Sequence, residues 1–256
     1  MPSKEAARAA LICIALLGTH AVAQTASGDS GWTGTLGLGP VFVPKYSGGK
    51  QTQILPLPIA YVEYKDWFYV DLFRAGAYVW GSQDKKQGIA FSVEPRMGFT
   101  SSDGPKLTGM AKRRSGVSGG PTYNAEGDWG AVSVGYFADL SDASRGGYFD
   151  ALYNRSLLKD DHWDLSGTIQ ASSWNSKMSN YYFGVKAEEA TAARPLYTAG
   201  ASTQATLWLT GQYNLSREYA VMFGGNGTRL GSAAAASPIV ERRLVPLLYI
   251  GFGVNL

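Results

Sequence analysis

Apolar and polar positions alternate along most of this chain. The clearest run lies at its end, residues 247–256, Leu-Leu-Tyr-Ile-Gly-Phe-Gly-Val-Asn-Leu. Leu248, Ile250, Phe252, Val254 and Leu256 share one face of a strand, and Tyr249, Gly251, Gly253 and Asn255 share the other, because side chains of a strand alternate with period two. The apolar face is unbroken to the last residue. A soluble domain rarely closes on an uncovered apolar strand, whereas the last strand of a transmembrane barrel pairs with the first and faces lipid. A strand packed inside a soluble sandwich is the competing explanation.

The same alternation recurs. In 88–100, Ile89, Phe91, Val93, Pro95, Met97 and Phe99 oppose Ala90, Ser92, Glu94, Arg96, Gly98 and Thr100; in 162–174, Trp163, Leu165, Ile169 and Ala171 oppose Asp164, Ser166, Thr168, Gln170 and Ser172. Residues 32–42 place Trp32, Leu36, Leu38 and Phe42 against Thr33, Thr35, Gly37 and Gly39. Further strands are expected at 52–64, 67–80, 116–124, 129–140, 147–157, 203–214 and 219–230. Most have the length of a tilted spanning strand and exceed the usual soluble one. Outside the N-terminus no segment carries a clear helical period, apart from a short loop helix at 176–182.

Short connections (64–66, 125–128, 159–161, 215–218) alternate with long ones (43–51, 101–115, 175–201, 231–243). Barrels place short turns in the periplasm and long loops outside. Keeping that order divides 67–80 into a hairpin turning around residues 74–76 and raises the tally from eleven to twelve. The expected fold is an all-β, transmembrane antiparallel β-barrel of the outer membrane with 10–12 strands, twelve favoured.

The first residues set the compartment. Lys4 and Arg8 precede a short apolar core at 11–17, and Ala21-Val22-Ala23 forms an A-x-A cleavage site before Gln24. This pattern is that of a secretory signal peptide at 1–23, cleaved between Ala23 and Gln24, with the barrel occupying 24–256. The one cysteine, Cys13, lies inside that signal, so the processed chain has neither disulfide nor thiolate metal site.

Composition then fits a barrel with a greasy outside and a wet lumen: Gly 32, Tyr 15, Trp 7, and mean hydropathy −0.11. Trp32, Trp67, Trp80, Trp129, Trp163 and Trp174 fall at or near strand ends, where aromatic girdles meet lipid headgroups. Trp208 does not, and is read as luminal. The net charge of +3 carries no nucleic-acid case.

Charge on a lipid face is costly, so Glu94, Arg96, Asp139, Asp150 and Asp164 are assigned to the lumen. They form either a polar conduit or ligand site, or an internal ion-pair network filling a narrow barrel. Lys45, Lys50, Lys112, Arg113 and Arg114 lie in expected outer loops, where they pair lipopolysaccharide phosphates or simply keep the surface solvated. No phosphate loop is present, since Ser118-Gly119-Gly120 runs into Pro121 without a following Lys. No metal-ligand spacing occurs and no cofactor is expected. His162 is the one histidine of the processed chain; Ser166, on the same strand face, stands about 13 Å away, beyond the reach a nucleophile–base pair needs. No enzyme is expected.

Residues 36–46 (LGLGPVFVPKY), 55–58 (LPLP), 107–117 (LTGMAKRRSGV), 181–185 (YYFGV) with Glu189, Ala190 and Tyr197, 237–240 (SPIV), and the closing Gly-Phe strand form a set of blocks spread along the chain. In order and spacing they resemble the MipA/OmpV family of MltA-interacting outer-membrane proteins. One departure is Leu256, where such barrels commonly carry Phe. The resemblance implies a non-enzymatic outer-membrane scaffold linking a lytic murein transglycosylase to a class A penicillin-binding protein in peptidoglycan synthesis and turnover. The other readings kept open are a small-solute channel and a surface adhesin.

Overall fold

The computed structural model describes residues 31–65 and 67–256. The expected signal peptide at 1–23 and its expected cleavage site at Ala23–Gln24 lie outside them. Twelve antiparallel strands close into one barrel. They are β1 Trp32–Pro44, β2 Thr52–Tyr64, β3 Phe68–Asp71, β4 Arg74–Gly81, β5 Gln87–Arg96, β6 Gly116–Gly127, β7 Gly130–Asp139, β8 Gly147–Lys159, β9 Trp163–Trp174, β10 Ser202–Asn214, β11 Tyr219–Arg229 and β12 Leu244–Asn255. Each neighbours the next in sequence, and β1 closes on β12 through Thr35↔Asn255 to Phe42↔Leu248. Both β1 and β12 therefore have their free ends among the short turns.

The period-two pattern sorts the wall as the sequence requires. In β12, Phe252 is 53% exposed and faces outward, whereas Tyr249 is 3% exposed and faces the lumen. Glycines on the luminal face of the seam make room for neighbours. A Cβ on Gly251 would stand 2.5 Å from Ile59 Cδ1, and one on Gly253 would stand 2.9 Å from Met222 Sδ.

Four expectations need correction. First, the hairpin expected within 67–80 turns at Leu72–Phe73, two residues early, because Arg74 and Gly76 belong to the β4 ladder. Leu72 takes the positive φ of 50° at that turn, and Gly76 is small because the Tyr69 ring lies over it. Second, β5 stops at Arg96, so parity says nothing about Phe99, which is buried among the loops and bridged to Arg113. Third, Trp174 is 7% exposed and packs inward, edge-on to Tyr182 and tilted against Phe183. Its even number puts it on the Ser172 face, hence in the lumen. Fourth, the five remaining strand-end tryptophans, Trp32, Trp67, Trp80, Trp129 and Trp163, all stand at the short-turn rim, so together they form one belt rather than two.

At the opposite rim the long loops fold back over the barrel. Helix α1, Ser176–Phe183, starts where the Asn175 side chain accepts from Met178 N and ends at Gly184. Its buried side, Met178, Tyr182 and Phe183, packs on Phe137, Tyr148 and Trp174 from the wall. The short helix α2, Ser232–Ala235, adds Ala234. A second loop core joins Tyr46, Phe99, Leu107, Met110, Val185 and Ile239 from four loops.

Candidate functional site: a filled lumen beneath a loop lid

The lumen has two unlike halves. On the side of β1, β2, β11 and β12 it is apolar, built from Val41, Val43, Leu55, Ile59, Met222 and Tyr249. On the side of β4 to β10 it holds an ion-pair network. Arg74 Nη2 donates to Asp150 Oδ2 at 2.8 Å and to Glu94 Oε2 at 3.3 Å. Arg96 and the Tyr148 hydroxyl donate to the other oxygen of Glu94. Gln170 Nε2 donates to Asp150 Oδ1 at 2.9 Å, and Trp208 Nε1 donates to Gln170 Oε1 at 3.2 Å. Arg74 lies 4.8 Å over the Phe137 ring and Arg96 lies 4.3 Å over that of Tyr148. Two guanidiniums thus meet two carboxylates, with aromatic faces and amides around them, while the buried Nε of Arg96 has no hydrogen-bond partner. Pairing of this kind is what permits charge away from bulk water.

The five residues assigned to the lumen from the sequence separate into three groups. Glu94, Arg96 and Asp150 come together in this network. Asp139 is on the luminal register opposite Ser118, but its carboxylate turns to the 140–146 loop, accepting from Ser141 N at 2.9 Å and Ser144 Oγ at 2.9 Å. Asp164 sits at the short-turn mouth, 3.5 Å from Lys159 Nζ, half in solvent. Sequence reading missed Arg74, placed in a turn, and Tyr148 and Gln170, given no role. Arg74, the one cation of a largely apolar 67–80 stretch that also holds Asp71, was the available signal.

Above the network the lid is tied by buried arginines. Arg113 Nη1 and Nη2 donate to the two oxygens of Glu189 at 2.7 and 2.8 Å, with side chains 5% and 2% exposed. Arg113 Nε adds Tyr181 O at 3.0 Å. Arg113 is therefore not a free outer-loop cation; its charge is used inside the lid. Burial alone would raise the Glu189 carboxyl, but the Arg113 guanidinium and the backbone N–H groups of Lys186 and Ala111 outweigh it and hold the pKa down at about 2. Arg194 reaches three carbonyls, Lys106 O at 2.8 Å, Thr108 O at 2.9 Å and Glu189 O at 2.6 Å. The Tyr46 hydroxyl ties the first loop to the last through Ile239 O at 2.9 Å. Lys112 and Arg114 stay exposed, and Lys45 Nζ donates to Gln51 Oε1 at 3.0 Å.

At the short-turn rim, His162 is exposed and stacks near Tyr213, ring centroids 6.0 Å apart. Asp160 Oδ1 accepts from the backbone N–H groups of His162 and Trp163, both at 2.8 Å, which shapes the turn and lowers the Asp160 pKa.

Comparison with known proteins agrees with this architecture. The family model described as MltA-interacting protein MipA matches residues 36–255. Outer membrane protein OmpV of Vibrio cholerae is 32% identical over 172 residues, and Omp26La of Vibrio anguillarum 31% over the same length; each match covers 67% of this chain and 61% of the relative. The chain thus spans less than two thirds of those two relatives. The MltA-interacting protein of Escherichia coli is 24% identical over 221 residues, 85% of this chain and 88% of the relative. With a twelve-stranded closed barrel, a lipid-facing apolar surface and a family match over nearly all described residues, this chain belongs to the MltA-interacting protein (MipA/OmpV) family and resides in the outer membrane.

Proposed function

We propose that this barrel is a non-enzymatic scaffold. It holds a lytic murein transglycosylase, and through it a class A penicillin-binding protein, at the inner face of the outer membrane for peptidoglycan synthesis and turnover. The observation carrying this reading is the packing of the outer mouth. A conduit needs an open path, and here loop cores and the Arg74–Glu94–Arg96–Asp150 network occupy it. What remains for contact on the periplasmic side is the short-turn rim with its tryptophan belt. The name of the E. coli relative supplies the transglycosylase as first partner. Lipid and lipopolysaccharide surround the wall, and signal removal before Gln24 precedes assembly.

The test is capture of purified murein transglycosylase and penicillin-binding protein from the same envelope by the detergent-refolded barrel, alongside lipid and peptidoglycan hydrolysis assays of wild type and His162→Ala. Capture by both forms without hydrolysis is the expected result. Hydrolysis by wild type that disappears in His162→Ala would make the protein an enzyme and end the scaffold reading.

A further inference from the structure

The wall is uneven in height. β1 and β2 pair along their whole length, from Trp32↔Tyr64 to Pro44↔Thr52. β3 meets β2 only from Tyr61↔Asp71 to Tyr64↔Phe68, and meets β4 only from Phe68↔Ala77 to Asp71↔Arg74. The β3–β4 turn at Leu72–Phe73 therefore ends part-way up the barrel. Above it the 52–59 edge of β2 and the 94–96 edge of β5 have no strand between them.

The sequence of β2 matches this notch. Leu72 N donates to Ala60 O at 2.8 Å, which fixes the side to which Ala60 turns its backbone groups. Pro56 and Pro58 share that parity, so both lack an N–H where no strand is present to receive one. The rims of the notch continue the lipid-facing surface, with Ile54 and Pro56 exposed on β2 and Met97 exposed just beyond β5. Immediately behind lies the apolar half of the lumen. Leu57, Tyr61, Leu72, Phe73 and Leu247 are only partly buried there and pack against the cluster that holds Leu55 and Ile59. An apolar surface that faces sideways at membrane depth is unfavourable for water and borders a hydrocarbon solvent.

We propose that this notch is a lateral portal through which the acyl chain of an outer-membrane lipid enters the lumen and lies against Leu57, Phe73 and Leu247. Lipid is the chosen occupant because the opening is continuous with the surface that lipid already covers. The opposite rim carries the ion-pair network, where Arg74 is paired with both Glu94 and Asp150, and Asp71 with the Tyr61–Tyr249 hydroxyl pair lies below the apolar cluster, so the acyl chain follows the β2 side of the notch.

The test uses the full chain with Cys13→Ser and one fluorophore-labelled cysteine at a time: Leu57→Cys, Leu247→Cys, Leu209→Cys on the lipid face, or Thr206→Cys in the polar lumen. Each is refolded into phosphatidylethanolamine–phosphatidylglycerol vesicles with or without mid-chain brominated acyl groups. Quenching by bromine at 57 and 247 approaching that at 209, with little at 206, is the expected result. Bromine quenching at 209 alone overturns the proposal. So does dominant quenching at 57 by aqueous iodide, which means a wet notch, or energy transfer between labelled copies without bromine quenching, which means a second copy fills it. If Leu57→Cys does not refold to a heat-modifiable species, Val43→Cys reports from the same apolar cluster on β1.

Discussion

Replacing Glu189 by alanine isolates what holds the lid. The change removes both carboxylate oxygens from Arg113, which stays buried in the loop core. Breaking a buried pair by deleting one member costs about 3–5 kcal/mol. Arg113 keeps its bonds to Tyr181 O and Ala111 O, so the lower end applies. The lowered pKa of Glu189 agrees in sign, because the ionised carboxylate is the form that the folded lid stabilises. A loss at that lower end raises the open population of the lid on the order of a hundredfold. Hydrogen exchange followed by mass spectrometry reads this locally, through amides such as Phe99 N and Val185 N, bonded to Arg113 O at 3.0 Å and Tyr197 O at 2.8 Å. Peptides covering 97–115 and 181–197 should exchange far faster in the variant, while strand peptides of β9 and β10 should not change. The wild type should imitate the variant on acidification. A carboxyl whose folded pKa is lowered stabilises fully above its unfolded value, so protection is complete above about pH 4.5 and is lost toward pH 2. Unchanged exchange in the lid, or equal acceleration in lid and strands, would refute the reasoning.

Two further substitutions probe the wall. Phe252→Asp should sharply lower outer-membrane yield at equal expression, since its carboxylate meets lipid without a partner; Asn255→Asp should assemble, because Thr35 Oγ1 and Gln212 Nε2 still donate to that position. Arg74→Ala should lower the temperature of the heat-modifiable transition, consistent with about 3–5 kcal/mol for an abandoned Asp150 and Glu94; a transition unchanged from wild type would show that the network is solvated rather than buried.

Much of the wall was readable because period two, a lipid-facing cost and turn length all constrain the same residues. Leu248 to Val254 illustrate it, since alternation alone assigns each to its face. Trp174 shows where a positional rule misled: strand-end tryptophans resemble girdle residues, yet parity put this one with Ser172. Arg74, the first residue of β4, was misplaced because the preceding strand β3 has only four residues, too few for a period to fix where the turn begins. The lid was unreadable for another reason. Arg113 and Glu189 are separated by 76 residues, and no local pattern reveals which of several loop cations finds a buried acid. The notch was half written in Pro56 and Pro58, whose meaning depends on a neighbour that stops short.

The central claim is that the barrel is closed and works by contact rather than conduction, and conductance in a planar bilayer tests it most directly. Heat-modifiable protein inserted in molar potassium chloride should give no resolved channel steps, and Glu189→Ala should at most add brief, irregular openings as the lid loosens. Stable, uniform conductance steps from the wild-type barrel would contradict the account.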